Sequence, residues 1–348
     1  MADMAARKNE TQDVVTLADV KALAGAAGPC ITLALSIPNP AELTARLKSA
    51  LRSVQKQLAE RADHETAGAL LAPIEQLAAD VETAHVWANS LIAFQSAGAF
   101  RYFWMRQRLK DMAEVGERFQ IRPLLAALAR EQRFYLLAIG KHHVRLFRST
   151  PHSTEEVRLE GMAAQGIQES QHTTQPAGFE SEKDQDRFRH FLKDVERDVT
   201  KLLRQDGEPL ILAGVEYDVA IYRQINTYSR LLEPAIHCSP QGHTARNLHD
   251  SAWQIVSQLP SEPLQKALAD YRQQSGAALL LGDADAIGKA AAEGRVAGLF
   301  LSENAGGGQP GDPWNVAALE TVLHGGWAFE LNPADVPAKD SATALLRF

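Results

Sequence analysis

Between Asp184 and Arg204 the apolar residues Phe188, Phe191, Leu192, Val195, Val199, Leu202 and Leu203 recur at helical spacing, with charged residues on the opposite face. Such a stripe predicts one long amphipathic helix that must lay its apolar side against a sheet or another helix. Gly207 and Pro209 end it, because one lacks a side chain to hold helical geometry and the other cannot continue the hydrogen-bond ladder. Immediately before it, residues 161–181 run through Gln, Ser, Thr, His, Pro and Gly with little apolar content. A loop of that length inside a folded chain is expected to be functional or mobile.

Short, continuous apolar runs surround this helix. Cys30–Ile37 ends at Pro38-Asn39-Pro40, Phe134–Ile139 returns through Val144–Arg148, and Pro209–Val215 follows the long helix. Runs of this kind predict buried strands. A third strand of the middle meander is expected at Val157–Leu159, and strands are expected at Ser90–Phe94 and Phe100–Trp104 around the Ser96-Ala97-Gly98 turn. Leu43, Leu47, Leu51, Val54 and Leu58 predict an amphipathic helix, a second follows through Ile74 and Leu77, and a short one spans Ile121–Arg130. The last third alternates again. Helices are expected around Leu248–Leu259 and Pro263–Gln274 and from Asp283 to the Gly294 stop, then a strand at Val296–Leu301. Asp312-Pro313 caps a helix that stops at Gly325-Gly326, and strands follow at Trp327–Leu331 and Ala342–Arg347.

The reading is an α/β chain of three consecutive units: 1–130, 131–228 with the polar loop, and 229–348. For 348 residues two or three domains are expected, and 45% hydrophobic with 23% charged residues is the usage of folded proteins. A net charge of −7 argues against nucleic-acid binding by bulk charge and leaves local basic patches as the route to phosphate. No apolar run reaches the length of a membrane span, and Met1–Glu10 lacks the apolar core of a secretory signal. Two cysteines, Cys30 and Cys238, are too few for a disulfide framework; the expected setting is cytoplasmic.

Motifs for familiar chemistry are few. His237, Cys238, His243 and His249 lie close in sequence, yet their spacing matches no zinc-ligand pattern, so no metal is expected. His142-His143 reads as a solvated turn without a partner for acid–base work. No P-loop and no dinucleotide fingerprint occurs, so neither nucleotide nor other cofactor is expected. The predicted strands of the middle unit carry no carboxylates to hold catalytic cations.

Several phrases in order, Cys30–Pro38, Arg133-Phe134-Tyr135-Leu136-Leu137, Val144–Arg148, Leu212-Ala213-Gly214-Val215 before Tyr222, Thr321–Gly326 and the closing Arg347-Phe348, resemble bacterial archaeo-eukaryotic release factor-like proteins. The resemblance covers almost the full length. It implies kinship to the archaeal and eukaryotic class-1 peptide chain release factor. The expected organisation is a decoding-type first domain, a middle domain of ribonuclease-H-like topology, and a C-terminal domain resembling kink-turn-binding ribosomal proteins.

In that family a Gly-Gly-Gln tip stands on a middle-domain loop before a long helix and positions water for ester cleavage. Here the corresponding loop precedes Arg187-Phe188-Arg189 and contains Gln165, Gln168, Gln171 and Gln175 but no Gly-Gly-Gln. Gly307-Gly308-Gln309 falls in the third unit, where a surface turn explains it. No catalytic residue is therefore assigned.

The resemblance makes Gln168, Gln171, Gln175, Gly178, Arg187, Arg189 and His190 the candidates for contact with the ribosome or its RNA, or with tRNA, and leaves the C-terminal unit for a protein partner. The favoured expectation is a non-hydrolytic translation factor of rescue, stress or dormancy. A hydrolase or nuclease using the Gln-rich loop, and a regulatory binding module that no longer contacts ribosomes, stand as alternatives.

Overall fold

A computed structural model describes residues 14–61, 63–80, 87–140, 143–159, 182–274, 279–306 and 311–347. Among them are three sheets and ten α-helices, so the expected α/β class with three sheet-centred units is borne out. The chain forms two compact bodies. One is Met1–Glu131 with Pro260–Phe348, and the other is Gln132–Leu259.

In the first body, β1 (Cys30–Ser36), β2 (Ser90–Ser96), β3 (Ala99–Met105) and β4 (Met112–Gly116) form an antiparallel sheet in the order β3-β2-β1-β4. Strand side chains alternate between faces, and here both faces are covered. Ile31, Leu33, Leu35, Leu91 and Ala93 pack against α2 (Leu43–Ala59) and α3 (His64–Asp80). Cys30, Ala34, Ile92 and Phe94 face a second core with α1 (Leu17–Ala24) and α4 (Arg122–Arg130). Two buried faces are why Cys30–Ile37 reads as a continuous apolar run rather than an alternating one.

That second core continues into the C-terminal third. β10 (Leu279–Leu281), β11 (Val296–Ser302), β12 (Trp327–Leu331) and β13 (Ala342–Leu346) assemble in the order β10-β13-β11-β12, with β11 and β12 parallel. α8 (Glu262–Gln274), α9 (Ala284–Ala292) and α10 (Pro313–Leu323) accompany them, and Phe300, Phe329, Ala317 and Leu264 share one apolar cluster with Phe94, Phe119 and Leu124. Gly298 sits opposite Trp327, whose ring leaves no room for a side chain there: an added Cβ would lie 2.1 Å from the indole.

A buried polar knot joins the two parts of this body. The Arg122 guanidinium donates to Asp312 Oδ2 (2.9 Å), Glu330 Oε1 (2.6 Å) and the Gly306 carbonyl (3.0 Å). Asn315 brackets the same turn, accepting from the Ile121 amide (2.8 Å) and donating to the Phe119 carbonyl (2.9 Å). Removing one partner of a buried ion pair strands the other charge without water. Arg122→Met is expected to destabilise this body by about 3–5 kcal/mol, while Arg122→Lys retains part of that; chemical denaturation of the purified variants measures both.

Glu131, which caps the C-terminus of α4, is buried. One carboxylate oxygen accepts the Arg106 amide (3.3 Å) and the other has no hydrogen-bond partner among the described residues. Burial pushes its pKa up from 4.5 to about 7, opposed by the Arg106 amide and charge. The folded state therefore binds a proton that the unfolded chain has already released between these values. Stability falls as pH rises from about 4.5 to about 7, then levels. Glu131→Gln should flatten that slope and raise stability at pH 8 by up to about 3 kcal/mol, read from unfolding curves at several pH values.

In the second body, β5 (Phe134–Gly140), β6 (His143–Ser149) and β7 (Thr154–Val157) form an antiparallel meander, and β8 (Leu210–Gly214) and β9 (Ile236–His237) extend the sheet in parallel, giving β7-β6-β5-β8-β9. The third strand of the meander begins earlier than the expected Val157–Leu159. The Ser149 and Thr154 hydroxyls (2.8 Å) and those of Thr150 and Ser153 (2.8 Å) close a tight turn that starts the pairing at Thr154. α5 (Glu182–Asp206) and α6 (Glu216–Ile225) cover one face, and α7 (Ala245–Val256) covers the other.

Candidate functional site: the head of the long helix

α5 is 25 residues long, about 37 Å at the helical rise, whereas the five-residue strand β8 beside it spans about 17 Å. Only Gly207, Glu208 and Pro209 separate the foot of the helix from β8. The foot is therefore held at the start of the strand, and the N-terminal turns of α5 extend past its C-terminal end.

The foot is fixed by side chains. Tyr135 donates its hydroxyl to Asp206 (2.6 Å), and Arg148 bridges Asp206 (3.3 Å) and Glu208 (3.2 Å). Burial and the Asp206 hydrogen bond push the Tyr135 phenol well above its ordinary range, so it serves as a permanent donor. The middle of the helix is braced by Glu196. Its Oε1 accepts from the Thr200 hydroxyl (2.8 Å), the Thr227 amide (2.9 Å) and the Thr227 hydroxyl (2.7 Å), tying α5 to the segment that leaves α6. Nearby, burial and the Glu196 charge hold the Tyr222 phenol far above its usual pKa, and its hydroxyl has no hydrogen-bond partner among the described residues.

Toward the head, Phe188, Phe191 and Leu192 keep the apolar face on the sheet. Arg187, Arg189 and His190 are all exposed on the other side. Arg189 donates to Gln224 on α6 (3.2 Å). His190 Nδ1 lies 2.7 Å from the Asp186 carbonyl, which only accepts, so Nδ1 carries the proton of that bond. The two guanidinium groups on this helical end are donors suited to phosphate oxygens, although Asp186 beside them moderates the field. At the junction of β8 and α6, Val215 and Tyr217 are 40% and 47% exposed, adding an apolar and an aromatic surface to this body.

Of the residues singled out in sequence, the structure brings Arg187, Arg189 and His190 to one helical end. Gln168, Gln171, Gln175 and Gly178 lie outside the described residues, as do His142 and Gly307-Gly308-Gln309. The four-residue His/Cys stretch has other employment. His249 is buried, stacks on Phe134 (5.9 Å between ring centres) and has Nε2 2.8 Å from the Thr150 carbonyl, while exposed His243 turns Nδ1 to the Ser239 carbonyl (3.0 Å). Burial raises the Cys238 thiol above its ordinary pKa, away from nucleophilic character. Among the described residues no group of His, Cys, Asp and Glu has the arrangement of a metal site, and no helix is long and apolar enough to cross a membrane.

Sequence reasoning missed the Glu196 brace. Its signal was there, since Glu196 and Thr200 fall four residues apart inside the apolar stripe of Leu192, Val195, Val199 and Leu203.

These features define an α/β protein whose middle sheet carries a long helix reaching past its strand edge. Residues 133–295 match the family model described as bacterial archaeo-eukaryotic release factor family 3, which bears out the release-factor-like resemblance read from the sequence over that stretch. Among solved structures, Archaeoglobus fulgidus Pelota is 13% identical over 96% of this chain and 93% of its own, with a TM-score of 0.42. The archaeal translation termination factor aRF1 is 11% identical over 95% and 96%, with a TM-score of 0.25. Dom34 of S. cerevisiae is 14% identical over 62% and 63%, with a TM-score of 0.33. No curated protein matches.

Glu196→Ala leaves the two Thr227 donors and the Thr200 hydroxyl unsatisfied. A loss of about 2–4 kcal/mol in the stability of the second body is expected, with faster amide exchange at Asn226–Tyr228 than at β5; hydrogen-exchange mass spectrometry separates the two.

Proposed function

We propose that this protein is a translation-associated factor that docks on the ribosome at or near its tRNA site through the head of α5 and the 161–181 segment, in rescue, stress or dormancy, without hydrolysing peptidyl-tRNA. The observation that carries the reading is the family match over residues 133–295, the stretch that contains both the segment and the helix that follows it. The braced helix supports it physically. A rod anchored at its foot by Tyr135 and Arg148 and at its middle by Glu196 delivers exposed Arg and His side chains at a defined distance from the sheet, which a reader of RNA backbone needs.

The segment's composition supports the non-hydrolytic reading. With no Gly-Gly-Gln before α5, the backbone freedom and the paired amide donors of that tripeptide are not supplied. The antiparallel meander followed by a parallel crossover supports the ribonuclease-H-like reading of the middle unit, yet β5, β6 and β8 carry no Asp or Glu for cation-dependent cleavage.

The test is co-sedimentation of the full chain with ribosomes, empty and stalled, across growth phases. Wild-type protein is expected in the ribosomal fractions. The triple variant Arg187→Ala, Arg189→Ala, His190→Ala should bind about tenfold or more weakly, with a salt dependence shallower by about one unit of slope for each phosphate it no longer neutralises. Wild-type protein that never shifts with ribosomes in any state overturns the proposal. Release of labelled peptide from ribosome-bound peptidyl-tRNA that disappears in the Gln168→Ala, Gln171→Ala, Gln175→Ala variant replaces it with the hydrolase reading.

A further inference from the structure

The helical pair on the outer face of the first sheet is divided by charge. α2 carries Arg46, Lys48, Arg52 and Lys56 and no acidic residue, while α3 carries Glu65, Glu75 and Asp80 and no Lys or Arg. Of the four α2 cations, Arg46 is neutralised among the described residues, by Asp111.

Lys48, Arg52 and Lys56 are exposed, stand one helical turn apart, and form no ion pair among the described residues; Arg52 reaches only the Lys48 carbonyl (3.4 Å). Like charges at four-residue spacing repel and cost helix stability, so nothing described inside this body accounts for the row. Glu75 is likewise exposed and forms no ion pair among the described residues.

Between the helices runs a groove of about 350 Å³. Leu51 and Ala78 contribute apolar surface to it, with Lys48 and Arg52 on one side and Glu75 on the other. Gly68, Ala69, Ala72 and Ala79 are exposed on α3, together with the larger neutral side chains His64 and Gln76.

A partner of one sign does not fit this face. A polyanion laid along α2 meets Glu75 beside Lys48 and Arg52, and a polycation laid along α3 meets the reverse. The partner must carry both signs, in two stripes at helix-pair spacing. A second copy of this chain, turned by half a revolution about an axis that runs between the two helices and parallel to them, has that pattern: α2 of each copy faces α3 of the other. We infer that the outer face of the α2–α3 hairpin is a two-fold interface between two copies of this chain. The inference stands apart from the ribosome reading and survives its failure.

Sedimentation equilibrium of the full chain over a micromolar concentration series tests it. At low salt the species is expected at twice the 38.0 kDa chain mass, moving toward monomer as salt rises. Two charge-reversal variants, Lys48→Glu with Arg52→Glu, and Glu65→Lys with Glu75→Lys, each place like charges across the interface. Each should raise the dimer dissociation constant about tenfold or more, and an equimolar mixture of the two should restore association as a mixed dimer. All the exchanged side chains are exposed, and unchanged thermal melting verifies that the monomers remain folded.

Wild-type protein that stays monomeric overturns the inference, as does a mixture that fails to re-associate while both variants are folded. A wild-type monomer that instead binds a short single-stranded RNA, and loses that binding on Lys48→Glu with Arg52→Glu, overturns it in favour of a polyanion partner.

Discussion

The guanidinium of Arg122 is the point on which the larger body depends. It is buried at the start of α4 and reaches two carboxylates, Asp312 and Glu330, that sit 190 and 208 residues further along the chain. Buried ions are tolerated only when each is matched, and here burial raises the Glu330 pKa while Arg122 opposes the rise. The pairing thus selects one way for the first and last thirds to meet. The apolar cluster that runs from Phe94 and Phe119 to Phe300 and Phe329 supplies the driving force; the polar knot supplies the register. Both parts of the chain must be folded before either is complete, so this body is expected to unfold as one cooperative unit despite its two sheets.

The same logic of one buried polar group per junction recurs in the middle body. Glu196 spends its Oε1 on three donors, and those donors belong to α5 itself and to the chain leaving α6. An apolar stripe alone leaves a helix free to slide or roll on a sheet, because hydrophobic contact is not directional. The Tyr135–Asp206 bond at the foot and the Glu196 brace at the middle remove those two freedoms. The head, with Arg187, Arg189 and His190, is then placed chiefly by the lower two thirds of the helix.

How far this was visible in the sequence depended on whether the signal was local. α5 was legible because seven apolar residues repeat at one helical period, β1, β5 and β8 because strands buried on both faces give unbroken apolar runs between turn residues, and β6 because Val144, Leu146 and Phe147 return from such a run after a Gly140-Lys141 turn signal. α1 was not read, although Thr16 and Asp19 form a reciprocal capping box, since eight residues hold too few repeats to show a period. β4 was missed for a related reason: Met112–Gly116 holds a Glu and small residues, and its strand character comes from pairing with β1. The union of first and last thirds has no sequence signature at all. Arg122 beside Pro123 reads as an ordinary first-turn residue, and only its partners across the fold give it a role.

The candidate site divides along the same line. The placement of Arg187, Arg189 and His190 on the first turns of a helix was legible because a helix start following a polar segment is a local pattern. The α2 row of Lys48, Arg52 and Lys56 was equally local, yet in sequence it passes for the solvated face of an amphipathic helix. Its meaning changes only when α3, with the opposite sign, is seen packed beside it. A charged helix face carries information when its neighbour fails to neutralise it. On α2 itself Arg46 is held by Asp111, whereas Lys48, Arg52 and Lys56 stand in one exposed row with no ion pair among the described residues, beside a helix of the opposite sign.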